Sequence, residues 1–438
     1  MIYVIADDLT GATDTGVQFA IKNYTSSVII CQKNIRNQKL ANIKADVLVI
    51  DTETRDVDHR TSKKRINDIL DNLDIKRDDI IYKKIDSTLR GNIGLEIDLI
   101  MEKLNIDLCI FSPSFPKSKR ITKNGRLIVE NSPLAFTDYY EGDIKQEDAS
   151  YIPNILKNQS KNNIELIKIE DLRKSNFNLK LLISNFDNKK KQIIILDAVT
   201  EADLKEIVLN SQEIKYKFLF AGSAGLANHI NLINNKKLSN KKVGFKKAEK
   251  LVIVAASRRN ITNLQIEDVK TKFDVFELKI NLDKILNNSS LLLKKDSNNI
   301  KNAIETYDEL IIRPDPIFNS QDKINKLLTD YSIDFRDLQI EIKNYIGELI
   351  KNLFKDYSNI DLFLTGGDTA AGICKKLEVK NLNIIDELLT GIPLSLAKTV
   401  NYGDLNIITK AGGFGTEDSI SEIIYKLRDR KKGYVINE

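Results

Sequence analysis

The chain has 438 residues, of which 42% are hydrophobic and 29% charged, so it can bury a large core and is not a mainly disordered protein. Its 67 basic residues are nearly balanced by 62 acidic ones, which argues against a dedicated nucleic-acid-binding protein. Three widely spaced cysteines and two histidines argue against a disulfide framework and a structural zinc site. The length predicts two or three domains.

The sequence opens with a short apolar run, Met1–Ala6, that meets Asp7 and Asp8 at once. This run is too short for a signal peptide and has no basic segment before it. Nowhere does the sequence approach the roughly 20 consecutive apolar residues that a membrane-spanning helix needs. We therefore expect a cytoplasmic protein, without a membrane or nucleic-acid partner, whose cysteines stay reduced.

Short, continuously apolar segments alternate with helical patterns along the whole chain. Continuous apolar runs are typical of strands that are buried on both faces, as in a parallel sheet. Strands are predicted at Tyr3–Ala6, Ser27–Cys31, Asp46–Ile50, Ile80–Ile85, Leu108–Ser112, Gln192–Leu196, Lys217–Phe220, Leu251–Ala255, Val275–Leu278, Leu310–Ile312, Leu362–Leu364 and Asn406–Thr409. Amphipathic helices are predicted at Val17–Tyr24, Ala370–Leu377 and Ile420–Leu427. The pattern predicts an α/β protein of two domains, each with a mostly parallel sheet flanked by helices.

Two polar segments interrupt this alternation. The lysine-rich segment 234–250 has almost no apolar run, and we interpret it as a linker between a first domain, 1–233, and a second, 251–438. The alternative is a solvated surface loop inside one domain. The second segment, Asn287–Asn302, is predicted to be a loop followed by an exposed helix face.

The first predicted strand ends at two adjacent carboxylates, Asp7 and Asp8, and a helix follows. In an open α/β sheet, ligands bind beyond the carboxyl ends of the strands. One carboxylate can face the ligand as a base or metal ligand while backbone N–H groups hold the other. The alternative is that one of them only caps the helix.

A second polar cluster follows the strand predicted at Ile80–Ile85. Two lysines, an arginine, hydroxyls and a carboxylate gather there at a strand end and a helix start: Lys83, Lys84, Asp86, Ser87, Thr88 and Arg90. Helix N-terminal N–H groups favour anions, and the planar fork of arginine fits a carboxylate. The cluster predicts a site for a small, hydroxylated, anionic molecule. The alternative is a helix N-cap beside a surface ion pair.

Beyond the predicted linker, three strand ends carry small residues: Ala255–Thr262, Leu364–Ala370 and Thr409–Gly415. Such turns let the backbone approach a phosphate chain or a ribose. The sequence contains neither GxxxxGK[ST] nor GxGxxG, which excludes a P-loop or dinucleotide-binding Rossmann domain by motif. The first half thus contains groups that could bind a polyhydroxy acid, and the second contains turns that could bind phosphate. The combination favours a phosphoryl-transfer enzyme.

The motifs together resemble the four-carbon acid sugar kinases, in family order and over nearly the whole chain. They are IADDLTGATDTG (Ile5–Gly16), YKKIDSTLRGNIG (Tyr82–Gly94), SPSFP with Arg120 and Gly125, LDAVTEADL (Leu196–Leu204), AGSAGLA (Ala221–Ala227), LTGGDTA (Leu364–Ala370) and TKAGGFG (Thr409–Gly415). The resemblance implies an N-terminal sugar-acid-binding domain and a C-terminal nucleotide-binding domain. It also implies ATP-dependent phosphorylation of the C4 hydroxyl of threonate, erythronate or 3-oxo-tetronate.

Carried over by motif, the resemblance implies nucleotide contacts at Ser257, Gly366, Gly367, Asp368, Thr369 and Gly412. The chain departs from the family at one of these motifs. The family usually has Gly-Ser-x-Ser where this chain has Ala256-Ser257-Arg258-Arg259, and Arg259 could reach a phosphate instead.

The resemblance and the residues together predict a kinase of D-threonate or D-erythronate that uses Mg-ATP. Asp8 is the predicted base, Asp7 orients it or the substrate, and Arg90 with Lys83 or Lys84 holds the substrate carboxylate. Mg²⁺ arrives with the nucleotide, so no metal site built from protein side chains is expected. The alternatives are a 3-oxo-tetronate kinase, a non-catalytic sugar-acid sensor and, disfavoured by motif, a dehydrogenase. Whether the chain forms a homodimer is left open.

Overall fold

The computed structural model describes residues 1–30, 40, 43–140, 147–184, 191–233 and 244–431. The chain divides into two compact units, Met1–Lys241 and Lys242–Glu438. Both units are built from strands alternating with helices, so the predicted α/β class is confirmed. Most of the predicted linker, 234–243, and Cys31 at the end of a predicted strand lie outside the described residues.

The first unit contains eight parallel strands in the order β2-β3-β1-β4-β11-β5-β10-β9. They are β1 (Ile2–Ala6), β2 (Ser26–Ile30), β3 (Val47–Asp51), β4 (Ile80–Lys84), β5 (Leu108–Ser112), β9 (Asn163–Ile167), β10 (Gln192–Leu196) and β11 (Leu219–Gly222). A small antiparallel sheet adds β6 (Arg120–Lys123), β7 (Arg126–Val129) and β8 (Ser132–Pro133). The helices are α1 (Leu9–Ala20), α2 (His59–Leu70), α3 (Ile93–Lys103), α4 (Ile152–Lys157), α5 (Ile169–Leu172), α6 (Leu179–Ser184), α7 (Glu201–Ser211) and α8 (Ala224–Ala227).

The continuous apolar runs form this sheet because its central strands are covered on both faces. Every residue of β1, β3, β5 and β10 is buried. One face packs against α3, where Ile93, Ile97 and Ile100 join the strand residues Ile5 and Ile81 in a single core cluster. Each large apolar side chain buried in this way contributes about 1.5–3 kcal/mol relative to an exposed one.

The second unit has seven strands in the order β13-β14-β12-β15-β18-β17-β16, the first five of them parallel. They are β12 (Lys250–Ala255), β13 (Val275–Ile280), β14 (Glu309–Pro314), β15 (Ile360–Thr365), β16 (Val379–Leu389), β17 (Ile392–Thr399) and β18 (Asp404–Lys410). The helices are α9 (Asn260–Lys272), α10 (Leu282–Thr306), α11 (Gln321–Tyr331), α12 (Phe335–Asp356), α13 (Gly367–Lys376) and α14 (Ser419–Lys431). Strand β17 is antiparallel to both of its neighbours, so this part of the sheet is mixed.

The prediction of a loop within Asn287–Asn302 is wrong, because α10 runs through the whole segment. Its dihedral angles leave the helical region only at Asn288 (φ −155°, ψ 59°). Beyond that break, Leu292, Asp296 and Ile300 recur every four residues on one buried face. The segment looked like a loop because most of its other residues are polar, and the apolar Leu291 is itself 65% exposed.

Strand register determines which sequence motifs meet. In the first unit Ala6 of β1 lies opposite Asp51 of β3 and Lys84 of β4, so the residues that follow these strands share one sheet edge. In the second unit Thr365 of β15 lies opposite Ala255 of β12 and Lys410 of β18. Among the described residues, no helix combines the length and the apolar content needed to cross a membrane.

Candidate active site

The adjacent carboxylates after β1 are held by one arginine from the loop after β3. Arg55 donates from Nε and Nη2 to Asp7, at 3.0 and 2.9 Å, and from Nη1 and Nη2 to Asp8, both at 2.7 Å. The main-chain carbonyl of Asp7 also accepts hydrogen bonds from the amides of Thr54 and Arg55. The loop after β3 is therefore fixed on β1 by main chain and side chain together.

Asp8 combines two roles that the sequence presented as alternatives. It is the N-cap of α1, with Oδ1 accepting from the amide of Gly11 at 2.9 Å, and Oδ2 accepts from the hydroxyl of Thr10 at 2.6 Å. Burial alone would raise the pKa of Asp8, but Arg55 and then Lys84 lower it below its usual value. The carboxylate is therefore ionised at neutral pH, and capping the helix does not remove it from the charged cluster.

Arg55 does not appear among the sequence-based predictions, although it makes more contacts to the paired carboxylates than any predicted residue. Burial would lower its pKa, but Asp7, Asp8 and Asp86 together raise it well above the usual value. Its position directly after the buried strand β3 was the only signal in the sequence. Without the register between β3 and β1, nothing in that signal indicates which carboxylates it binds.

The loop after β4 brings a third carboxylate to the same edge. Asp86 accepts from Nε and Nη2 of Arg90 at 2.8 and 3.2 Å, and from the hydroxyl of Thr88. It also lies 3.8 Å from Nη2 of Arg55. Burial would raise the pKa of Asp86, but Arg90 and Arg55 hold it well below its usual value. The hydroxyl of Ser87, in a residue only 9% exposed, has no hydrogen-bond partner in the described part of the chain.

The two adjacent lysines of β4 point to opposite faces of the sheet, as neighbouring strand residues do. Lys83 forms an ion pair of 2.6 Å with Glu96 of α3, and both side chains are 1% exposed. Lys84 lies on the other face, against Gly11 in the first turn of α1, and donates to the carbonyl of Ile85 at 2.9 Å. The structure thus brings Lys84 to Asp8 and leaves Lys83 in the interior.

A further cation lies beside this cluster. The guanidinium of Arg120, in β6, stacks over the ring of Tyr139 at 5.3 Å, and the residue is 5% exposed. Burial lowers the pKa of Arg120, while the nearby Asp86 opposes that effect. With Arg120, four cationic side chains (Arg55, Lys84, Arg90, Arg120) accompany three carboxylates (Asp7, Asp8, Asp86), and Asp14 acts on Arg120 as a fourth. The cluster thus offers several cationic donors to an anionic ligand.

In the second unit the three predicted turns meet after β12, β15 and β18. A Cβ atom placed on Gly412 would lie 2.1 Å from Oγ of Ser257, so only glycine permits this approach. Gly366 is the N-cap of α13 and has φ +99°, a conformation that residues with a side chain rarely adopt. Its nearest neighbours are Ala256 and Ser257, 4.0 Å from an ideal Cβ.

The first turn of α13 faces this meeting point and is formed by Gly367, Asp368 and Thr369. Because the first N–H groups of a helix lack helical acceptors, such a turn favours anions. The guanidinium of Arg258 lies over the rings of Phe318 and Phe335 and donates to Gln321. Arg259 packs beside Gly412, where its Cγ lies 3.4 Å from an ideal Cβ.

Comparison with known proteins agrees with this division. Residues 2–230 match a sequence family described as "Sugar-binding N-terminal domain", and residues 252–420 match one described as "Nucleotide-binding C-terminal domain". The chain belongs to the four-carbon acid sugar kinase family. It is therefore a member of a family of kinases that phosphorylate four-carbon acid sugars, as the motifs predicted.

Full-length relatives of this kinase carry three different substrate names. It is 27% identical to a D-threonate kinase of Salmonella typhimurium, covering 97% of this chain and 98% of that one. It is 23% identical to a D-erythronate kinase of Heliobacterium modesticaldum, with 95% of each chain covered. A 3-oxo-tetronate kinase of Haemophilus influenzae is 24% identical, covering 95% of this chain and 98% of that one.

Two solved structures share the fold of this kinase. One, from Salmonella typhimurium LT2, has a TM-score of 0.76 at 20% identity and covers 96% of this chain and 98% of that one. The other, from Haemophilus influenzae, has a TM-score of 0.69 at 21% identity and covers 97% and 100%. These likenesses support the fold of the kinase.

Proposed function

We propose that this kinase transfers a phosphoryl group from Mg-ATP to the C4 hydroxyl of D-threonate or D-erythronate. The observation that carries the proposal is the meeting of Asp8, Lys84 and Arg90 at the edge of the first sheet. A carboxylate there can accept a hydroxyl proton, and the two cations can hold a carboxylate. A ligand with both groups, a short polyhydroxy acid, fits this combination.

Arg90 and Lys84 hold the substrate carboxylate in this proposal. Arg90 is the more accessible of the two, with 32% of its side chain exposed, and its fork already engages the carboxylate of Asp86. A substrate carboxylate would share that fork or replace Asp86 on part of it. Lys83, the alternative to Lys84, is less suitable because it already pairs with Glu96 in the interior.

The hydroxyl groups of the acid are the natural partners of Ser87 and Asp86. Ser87 is nearly buried and its hydroxyl has no partner in the part of the chain that the structure describes, so it can donate or accept toward a ligand. Asp7 acts indirectly, because it fixes the Arg55 fork that orients Asp8. Asp7 is thus a positioning residue in this proposal.

Asp8 accepts the proton of the C4 hydroxyl. The lowered pKa of Asp8 keeps it ionised and makes it a weak base. A weak base suffices because the phosphoryl group is largely detached in a loose transition state, so the hydroxyl proton is lost late. Positioning of the hydroxyl, through the Arg55 and Thr10 contacts that orient Asp8, is then the larger contribution.

The nucleotide is held by Ser257, Gly366, Gly367, Asp368, Thr369 and Gly412. Two observations support this assignment: Gly412 lies close to Ser257, and Gly366 has a positive φ. Because both are glycines, the main chain and not a side chain lines the turns at these positions. Bound Mg²⁺ supplies charge neutralisation at the phosphates. We assign the acid site to a domain spanning 1–233 and the nucleotide site to one spanning 251–438, joined by 234–250.

A panel of acids tests this proposal. ADP release is measured with D-threonate, L-threonate, D-erythronate and 3-oxo-tetronate, with ATP alone as the blank. We expect turnover to be highest with D-threonate or D-erythronate. A preference for 3-oxo-tetronate would support the oxo-acid alternative. Calorimetric binding of an acid without any ADP release would support the sensor and contradict the kinase proposal.

A further inference from the structure

Lys410, the last residue of β18, is a buried cation beside the predicted nucleotide turns. It is 0% exposed, and its ammonium donates to three main-chain carbonyls, those of Ala411, Gly412 and Phe414, at 3.0, 3.2 and 3.1 Å. The turn that follows β18 therefore surrounds the ammonium group of Lys410.

Two side chains of α9 also donate hydrogen bonds to carbonyls of this turn. The hydroxyl of Thr262 donates to the carbonyl of Gly412 at 3.0 Å. The side-chain amide (Nε2) of Gln265, a fully buried residue, donates to the carbonyls of Phe414 and Thr416 at 3.1 and 2.8 Å. Lys410 and helix α9 thus hold the carbonyls of Ala411, Gly412, Phe414 and Thr416 on the inner side of the turn.

The direction of the carbonyls fixes the direction of the amides. In a trans peptide the C=O and the following N–H point in opposite directions, and no cis peptide occurs in the described chain. The amides of Gly412, Gly413 and Gly415 therefore point away from Lys410. None of the three has a hydrogen-bond acceptor within the described ranges, and all three residues are at least partly exposed.

The ammonium of Lys410 has no carboxylate partner among the described residues. Burial is the one influence that shifts the pKa of Lys410. The surrounding elements carry charges of both signs: Arg259, Glu267, Asp268, Lys270 and Lys272 on or beside α9, Asp368, Lys375 and Lys376 on α13, and Glu417 and Asp418 before α14. Asp268 pairs with Lys272 and Asp418 accepts from Thr416. A buried charge with only carbonyl partners is costly, and it favours an anion nearby.

We propose that Lys410 is a positioning residue for the nucleotide: it directs the Gly412, Gly413 and Gly415 amides toward the phosphates, which supply its missing counter-charge. The inference rests on the proposed nucleotide site in the second unit. Successive outward amides in a glycine turn form an anion-binding nest. The ammonium of Lys410, behind these amides, strengthens the attraction for the phosphates without touching them. It can do so because Coulomb interactions are stronger in a buried region of low dielectric constant than in water.

This arrangement has a consequence for protons. Burial lowers the pKa of Lys410 to about 7, so at pH 8 most molecules without nucleotide carry it neutral. A bound polyphosphate favours the charged form, so nucleotide binding at pH 8 takes up a proton. At pH 6 the side chain is already charged and the uptake disappears.

The test compares Lys410→Met with Lys398→Met, a control lysine on β17 that is 43% exposed and paired with Asp404. Calorimetry with Mg-ATP in two buffers of different ionisation enthalpy gives both Kd and proton uptake. We expect Lys410→Met to raise Kd about 10- to 100-fold, the size expected for charged hydrogen bonds, and to lose the uptake seen at pH 8. Lys398→Met should retain both values.

Equal affinity in Lys410→Met and the wild type would overturn the inference, as would equal proton uptake. If Lys410→Met does not fold, the same comparison is made with Lys410→Gln, whose amide can still donate to the turn but carries no charge, and unchanged affinity in that variant overturns the inference. A wild type that binds no ATP would instead contradict the proposed nucleotide site. The two failures are therefore distinguishable.

Discussion

Arg55 places its guanidinium against Asp8 with two hydrogen bonds of 2.7 Å, and so joins the loop after β3 to the first turn of α1. The same guanidinium also binds Asp7. Asp8 therefore does not act as an isolated carboxylate at a strand end. Its orientation and its ionisation depend on a residue 47 positions away in sequence.

Replacing Arg55 with Lys should impair acid phosphorylation more than ATP binding. Lysine retains the charge but cannot bind both carboxylates in a planar fork, so Asp8 loses its orientation. We expect kcat/KM for the acid to fall by about 10²-fold, the scale of a misplaced catalytic group, with Kd for ATP within about twofold. Steady-state kinetics and calorimetry measure the two quantities.

Arg173→Lys is the matched control for that variant. Arg173 makes the same two-pronged contact to Asp203, at 2.8 Å for both bonds, but its side chain is 52% exposed and far from the cluster in sequence. It should lose little stability and no activity. If both variants lose activity alike, Arg55 has no special role.

Asp8→Asn should abolish most turnover and leave ATP binding intact. Loss of a general base typically costs about 10²–10⁴-fold in rate. The amide retains an oxygen that can still cap α1, so the helix should persist. Activity within a few-fold of the wild type would remove Asp8 from the role of base.

The capping role of Asp8 is separated from its chemistry by Asp58→Asn. Asp58 is the N-cap of α2 and accepts from the amide of Thr61 at 3.0 Å, much as Asp8 accepts from Gly11. That substitution should alter thermal stability slightly and turnover not at all. An equal loss of turnover would mean that an Asp-to-Asn change at a helix N-cap disturbs turnover through the fold, and Asp8 would lose its special role.

The neighbouring lysines of β4 should respond oppositely to substitution by Met. Lys84→Met should raise KM for the acid about tenfold or more and cost less stability than Lys83→Met, because Asp8 retains its pair with Arg55. Lys83→Met leaves Glu96 buried without its partner, which should cost about 3–5 kcal/mol of stability with KM nearly unchanged. Thermal unfolding and steady-state kinetics distinguish the two.

A double variant checks the explanation for Lys83. Lys83→Met with Glu96→Leu removes both buried charges and should recover most of the lost stability. A raised KM in this folded double variant would return Lys83 to the substrate site and contradict its assignment to the interior.

Gly412→Ala should weaken ATP binding by about tenfold or more without affecting the acid. The added methyl would collide with Ser257, which must move, and both residues belong to the proposed nucleotide site. Gly244→Ala is the control, because an added Cβ there meets nothing within 4 Å. Unchanged ATP affinity in Gly412→Ala would place the nucleotide elsewhere.

The sequence predicted the parts of the fold that continuous apolar runs mark. Strands β1, β5, β10 and β12 were predicted within one residue of their observed bounds, because nearly every residue in them is buried, whereas only the centre of β15 was predicted. The β16–β17 hairpin was missed, because β16 is only partly buried and its polar and apolar residues do not alternate. Its two-residue turn has Gly391 at φ +74°, a local hairpin signal that was overlooked.

The site was predictable where chemistry lies next to a strand end and unpredictable where it depends on register. Asp8 and Arg90 stand in recognisable motifs, whereas Arg55 becomes informative only once β3 lies beside β1. Lys83 and Lys84 could not be separated, because their faces depend on which helix packs on which side of β4. Lys410 lies in the motif Thr409–Gly415, whose glycines were the basis of the predicted nucleotide turn. The burial of the lysine is visible only in the structure.

In the proposed reaction the phosphoryl group is transferred to the C4 oxygen of a four-carbon sugar acid. The most direct measurement is proton-coupled ³¹P NMR of the product formed from ATP and D-threonate or D-erythronate. A new monoester signal split into a triplet by the two C4 protons is the predicted result. A doublet from phosphorylation at C2 or C3, or ADP and inorganic phosphate without any ester, would contradict the account.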